Sequence, residues 1–327
     1  MSDKSEALLV DSRVSWKVPT LLNNDWVALR LAQTLNPQLP KPLFECAYGC
    51  PPCAWAGGRP SKIGRTIEEP ELRRYFEAYA EVGASCALTL SRPDAGEDLE
   101  DPYCNMLLDL LDEYGGQAIV VDERLARYIR AKHPDIKLVA SNNRVFLDFN
   151  RGFDGMTEER YYHKLLELYD TVVVRCEALL EGGIAKELQG IAGHVELLVN
   201  QRCVPDCPYA TWHILAGAEV VKGRIEGRQP QWPRCKYPKR TETVYVPQER
   251  RDELANMGFT DFKLQGRNRK PQEVVEFLIK NILSDKGRSA FKDDLRQVYR
   301  DALTLSFMLV TPDVLIAIPK SSSGSRA

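Results

Sequence analysis

No run of about eighteen apolar residues occurs anywhere in the 327-residue chain, so no segment reads as a membrane-spanning helix. The opening residues, MSDKSEALLVDS, lack the basic start and apolar stretch of a secretory signal. Their absence predicts a cytoplasmic protein whose thiols are kept reduced. Charge of one sign is missing too. A formal net charge of −2 and a pI near 6.2 argue against a general polyanion binder and leave room only for a local basic surface. Histidine is scarce, with four in the chain. No GxSxG elbow, HExxH helix or Ser/His/Asp grouping is visible, so peptidase activity of a standard kind has no support. There is no internal repeat, and the only low-complexity segment is the terminal KSSSGSRA.

What is present suits a large core under a polar surface. Hydrophobic residues make up 44% and charged residues 28%, a balance that fits one large α/β domain or two small ones. Short apolar runs alternate with amphipathic stretches. Strand-like runs fall at 14–18, 42–47, 86–91, 117–121, 137–140, 171–175, 194–199 and 261–264. Most are near-continuously apolar, as strands buried on both faces should be. Helical patterns between and after them cover 69–81, 101–114, 123–133, 157–169, 179–189, 209–218, 272–283 and 291–310. Eight strands alternating with helices predict an α/β fold of the (β/α)8 TIM-barrel type, with an open doubly wound sheet as the alternative. The expected organisation is a flexible N-terminus over 1–12 and a barrel domain over 13–285. A C-terminal helical extension over 286–319 and a disordered tail over 320–327 complete it. The connection after strand 7 is long and rich in Cys, Pro, Trp, Gly and Arg, and a loop of that length in a compact domain is usually functional or disordered.

Nine cysteines, an odd number in a reducing compartment, point to metal, redox or packing roles before disulfides. Cys46, Cys50 and Cys53 form CxxxCxxC at the end of strand 2, the spacing with which radical S-adenosylmethionine enzymes ligate a [4Fe–4S] cluster. The motif departs from theirs in having Pro52 before the third cysteine and a strand ahead of the one that carries it. Cys203 and Cys207 follow strand 7, with Cys235 further along the same loop. Pro205 favours a turn between the first two, and soft thiolates suit an iron–sulfur cluster or tetrahedral zinc. Cys86, Cys104 and Cys176 lie within strand and helix patterns and read as core.

The segment LLVNQRCVPDCPYATWH resembles a signature of bacterial proteins related to peptidase family U32, the collagenase-like group, at Asn200, Cys203, Cys207, Pro208, Tyr209 and His213. Three more segments fit in order: Val18-Pro19-Thr20 with Asn24, then Tyr48-Gly49 followed by GGRPS from Gly57, and Met257-Gly258-Phe259 through FKLQGR ending at Arg267. The likeness spans roughly residues 13–285. It implies a TIM-barrel-like fold and kinship with the branches that hydroxylate ubiquinone precursors or tRNA through a four-cysteine [4Fe–4S] cluster. On that basis Cys203, Cys207 and Cys235 are the matching ligands, with Cys50 or Cys53 as the fourth.

In a barrel, residues at the carboxyl ends of the strands build the site; the pattern places Glu45, Arg92, Asp122, Asn142, Glu177, Asn200, Gln265 and Arg267 there. Arg92 and Arg267 suit a carboxylate or phosphate, while Glu177 and His213 complete the catalytic candidates, His213 with helix capping as its plainer role. Three readings result. The first is an iron–sulfur redox or group-transfer enzyme acting on a polar small-molecule or nucleic-acid substrate. The second is a radical S-adenosylmethionine enzyme. The third is a nucleic-acid- or partner-binding module with a structural metal such as zinc. The run from Lys222 to Arg240, with Trp232 and Tyr237 among its cations, motivates that third reading. A protein partner or a homo-oligomer fits any of them.

Overall fold

The structure, a computed structural model, describes residues 10–57, 66–180, 183–201, 207–226, 228, 231, 244–266 and 269–305. β1 (Ser15–Val18) leads to α1 (Asp25–Leu35), β2 (Cys46–Gly49) to α2 (Glu69–Glu81), and β3 (Ser85–Leu90) to α3 (Pro102–Glu113). β4 (Gln117–Val120) leads to α4 (Glu123–Lys132), and β5 (Lys137–Ala140) to α5 (Asn142–Phe149) and α6 (Glu158–Leu165). β6 (Thr171–Val174) runs into the short α7 (Cys176–Leu180) and α8 (Gly183–Glu187). β7 (Val195–Leu198) is followed by β8 (Asn200–Gln201), α9 (Ala210–Ile225), β9 (Val244–Tyr245) and α10 (Gln248–Asn256). β10 (Asp261–Lys263) precedes α11 (Pro271–Ile282), α12 (Asp285–Ala290) and α13 (Lys292–Leu305).

β1 pairs in parallel with both β2 and β10, which closes β1–β7 and β10 into an eight-stranded barrel. The open-sheet alternative is thereby overturned. Successive strand residues face opposite ways. Val18, Leu88, Leu90, Val120, Leu138, Val172, Val174 and Leu197 face outward into the main core with the helices. Cys46, Tyr48, Ala87, Ile119, Val139, Val173 and Leu198, on alternating positions, form a separate apolar layer inside the ring. Burial on both faces explains why the strands read as continuous apolar runs. Several helices start on a side-chain cap: Asp101 accepts from Cys104 N–H, Asp122 from Arg124, Ser141 from Asn143 and Thr157 from Arg160. Each such cap is typically worth about 1 kcal/mol. Among the described residues no helix is long and apolar enough to cross a membrane.

The structure moves several predicted boundaries. Strand 2 begins at Cys46 rather than at Pro42, because Pro42 has no N–H to donate and pairing with β1 starts only where Glu45 N–H reaches the Trp16 carbonyl at 3.0 Å. Glu45 therefore lies at the amino end of its strand, exposed and bonded to Ser15 Oγ at 2.7 Å, not at the barrel mouth. The predicted helix over 291–310 is α13 from Lys292 to Leu305, its last five positions lying outside the described residues, and the short α12 precedes it. The one over 179–189 is instead two short helices, α7 and α8. α1, α5 and α10 are not legible as amphipathic stretches in the sequence. Val10 pairs with Leu283 in an isolated bridge, which ties the start of the described chain to the end of α11.

Candidate functional site

The carboxyl ends of the strands gather an unusual set of buried polar residues. Thr20, Asn24, Ser91, Arg92, Asp122, Ser141, Arg175, Glu177, Asn200 and Gln201 all lie shortly after a barrel strand and all are buried. Buried polar groups are costly unless they are bonded, so their partners define what this mouth can do.

Asn200 acts as a clasp. Its Nδ2 donates to the Gln265 carbonyl at 2.8 Å, and its Oδ1 accepts from the Gln265 N–H at 2.7 Å. The amide thus imitates one more ladder pair beyond β10 and sets the rim next to β7. Beside it, Gln201 donates through Nε2 to the carboxylate of Glu177, in the first turn of α7. Arg175 is sealed between the Glu158 carboxylate, at 3.2 and 3.3 Å, and the ring of Phe149, 3.7 Å from the guanidinium carbon. Asp122 caps α4 and also accepts from the Gly96 N–H at 2.8 Å.

The predicted anion-holding role of Arg92 does not fit its surroundings. Its guanidinium donates to the Ala54 carbonyl at 2.6 Å and the Asp94 carbonyl at 3.0 Å, pairs with the Asp94 carboxylate at 2.9 Å, and also binds Asp98. It is a clamp that holds the loop after β2 against the loop after β3. The same two loops meet where Ser91 Oγ donates to the Gly57 carbonyl at 2.9 Å and Trp55 Nε1 to the Asp98 carbonyl at 2.8 Å. Arg267 lies outside the described residues. His213 sits in the first turn of α9, half-buried, its own N–H donating to the Tyr209 carbonyl at 2.9 Å. It is part of the helix body rather than its cap. Asn142 opens α5 at the end of β5 with its Oδ1 buried.

Of the proposed thiol ligands, Cys207 is described, half-buried just ahead of α9, where its carbonyl accepts from the Ala210 N–H at 3.0 Å. Cys203 and Cys235 lie outside the described residues, as do the aromatics Trp232 and Tyr237 of the basic run. Cys50 and Cys53 are brought together, Sγ to Sγ 3.8 Å, immediately beyond β2. Cys46 is not with them: it belongs to the layer inside the barrel, whereas Cys50 and Cys53 pack in the outer core. The CxxxCxxC triplet therefore does not converge, because residue 46 faces inward on a strand that Cys50 and Cys53 have already left. Among the described residues no group of three Cys, His, Asp or Glu is arranged to hold a metal ion.

A third thiol joins the pair, one whose place in a helical pattern reads as plain core. Cys104, on the first turn of α3, lies beside Cys53. The neighbouring Cys104 and Cys50 thiols hold the Cys53 thiol well below its ordinary pKa against the opposing effect of burial. Burial, and the Cys53 sulfur beside it, push Cys104 far up.

Beneath the mouth the barrel is charged. Glu196 lies between the ammonium groups of Lys17 and Lys263, each 2.5 Å away, and Lys17 also donates to Gln117 Oε1 at 3.0 Å. The Lys263 ammonium stands 4.6 Å from the centre of the Tyr48 ring.

The fold is similar to that of the U32 peptidase Mk0906. That solved structure aligns over 77% of this chain and 92% of its own, with a TM-score of 0.47 and 13% sequence identity. No family model matches the sequence, and no curated protein matches it. The likeness is one of barrel architecture.

Proposed function

We propose that this chain is a U32-like barrel enzyme that performs redox or group-transfer chemistry on a polar substrate at the carboxyl ends of its strands. The observation that carries the reading is the run of buried, mutually oriented polar groups at one rim, Glu177 with Gln201 and Asn200 with the Gln265 backbone. Asn200 and Gln201 stand at the end of the strand whose following connection bears Cys207. Barrel enzymes place their chemistry on that face.

An iron–sulfur cluster fits the donor chemistry of this rim, since half-buried Cys207 and the thiols beyond β2 are soft ligands at strand ends on one face. Cys203, Cys207 and Cys235 would hold it, with one of Cys50 or Cys53 as the fourth. Sulfurs already in contact are too close to cap two separate irons, so the pair supplies one ligand at most. Such a cluster supplies one-electron transfer when bound. The protein's own groups do the rest. Gln201 fixes the Glu177 carboxylate, which accepts a hydrogen bond or a proton from a substrate hydroxyl. The Asn200 clasp keeps the rim shut between β7 and β10, so that water enters only where the substrate does.

Iron, acid-labile sulfide and zinc are to be measured in anaerobically purified protein. The expected result is about four irons and as many sulfides per chain, with broad visible absorbance that is lost in Cys203→Ala and Cys207→Ala. Protein lacking iron and sulfide would overturn the reading, and stoichiometric zinc would make the site structural.

A further inference from the structure

Cys50 follows the last residue of β2, and Pro51 and Pro52 separate it from Cys53. The two prolines each fix φ, so the short connection has few conformations and holds the thiols face to face. Their sulfurs lie 3.8 Å apart and are 3% and 2% exposed, which makes them a preassembled dithiol rather than two stray core residues. A disulfide needs an approach to about 2.0 Å. The two-residue spacing is the one on which thiol–disulfide exchange centres are built. The pair follows the carboxyl end of β2 and packs in the outer core, where a third thiol, that of Cys104 on α3, lies beside the Cys53 sulfur.

We propose that in the protein without a cluster Cys50 and Cys53 form a reversible dithiol–disulfide centre, beside Cys104, that exchanges with low-molecular-weight disulfides. In the first step one thiol of the pair loses its proton and its sulfur attacks one sulfur of the small disulfide. A protein–small-molecule S–S bond forms, the original S–S bond breaks, and the released thiolate takes up the proton. In the second step the other protein thiol attacks the protein-side sulfur of that mixed disulfide. The Cys50–Cys53 bond forms and a second small thiol departs with the remaining proton. Two protein thiols are oxidised, one small disulfide is reduced to two thiols, and no electron or proton is left over.

The test uses the full chain in mixtures of oxidised and reduced glutathione, with acid quenching, alkylation and peptide mass mapping. Iron is measured in every sample, and an iron-free aliquot is run in parallel. The expected result is a Cys50–Cys53 bridge whose fraction follows the glutathione ratio and returns to dithiol on reduction. Cys50→Ser and Cys53→Ser should abolish the bridge and trap glutathione on the remaining thiol, while Cys104→Ser and Cys46→Ser keep it. If both thiols stay alkylatable in iron-free protein under conditions that oxidise Cys207, the proposal fails. It also fails if Cys53 bridges to Cys104 instead. The wild-type map decides by itself, whether or not every variant folds. Because the bridge is read without iron, absence of a cluster and absence of exchange are separate results.

Discussion

The carboxylate of Glu196 stands 2.5 Å from the ammonium of Lys263 in the fully enclosed middle of the barrel, and Lys17 approaches its other oxygen from β1. Burial opposes the charge on Glu196, yet the two ammonium groups hold its pKa down to about 2. Lys263 is pushed down by burial and by Lys17, with Glu196 opposing. One anion is thus the counter-ion of two buried cations.

Replacing Glu196 with Gln should therefore cost about 3–5 kcal/mol in urea unfolding, because two like charges are left buried without compensation. The depressed pKa gives the sign of the pH effect. The stability that this carboxylate contributes is complete above its unfolded value, near 4.5, and is lost as pH falls toward about 2. Wild-type protein should lose stability over that acid range, and Glu196→Gln should lack that component.

Asp25 behaves in the opposite sense. It is buried at the start of α1, accepting from the Leu22 N–H at 2.9 Å and the Tyr79 hydroxyl at 3.0 Å, and burial raises its pKa to about 7. The native state keeps the proton that the unfolded chain releases near 3.8, so stability falls as pH rises from there to about 7 and is level above. The difference in unfolding free energy between wild type and Asp25→Asn should change by about 4 kcal/mol at most across that window. A difference that does not vary with pH would show Asp25 to be ionised throughout.

Asn200→Ala removes both bonds to the Gln265 backbone and leaves a buried N–H and carbonyl unpaired. A loss of about 2 kcal/mol is expected. Hydrogen exchange at the Gln265 amide should accelerate more than exchange at amides on β3, which marks local opening of the rim.

Gly57→Ala places a methyl group 2.2 Å from the Ser91 carbonyl oxygen, which is backbone and cannot step aside. Thermal unfolding should show a loss of about 1–3 kcal/mol as the loop after β2 separates from β3. Gly193→Ala, with nothing within 4 Å, is the control and should be close to neutral.

Much of the barrel is legible in the sequence. In runs such as QAIV and TVVV the last three positions are all apolar because both faces of the strand are buried, and that pattern reads directly as a buried parallel strand. α5 escapes because its eight residues, from Asn142, carry too few turns to show a clear period. β2 is misplaced because Leu43 and Phe44 are as buried as strand residues while Pro42 cannot join a ladder. At the site, residue types at strand ends are readable, so Arg92, Glu177 and Asn200 fall on the correct face. The role of Arg92 is not readable, because Ala54, Asp94 and Asp98 reach it only once two loops have packed together.

The amino-acid order alone determined the alternation of strand and helix, the direction each strand residue faces and the short CPPC loop, because these depend on neighbours a few positions apart. Tertiary structure decided which distant groups meet. Ring closure brings Lys17, from β1, within 2.5 Å of Glu196 on β7, and helix packing sets Cys104 against Cys53 across the chain. Charge pairing and sulfur contact act over a few ångströms of space, and only the closed barrel turns separations of 51 to 179 residues along the chain into such distances.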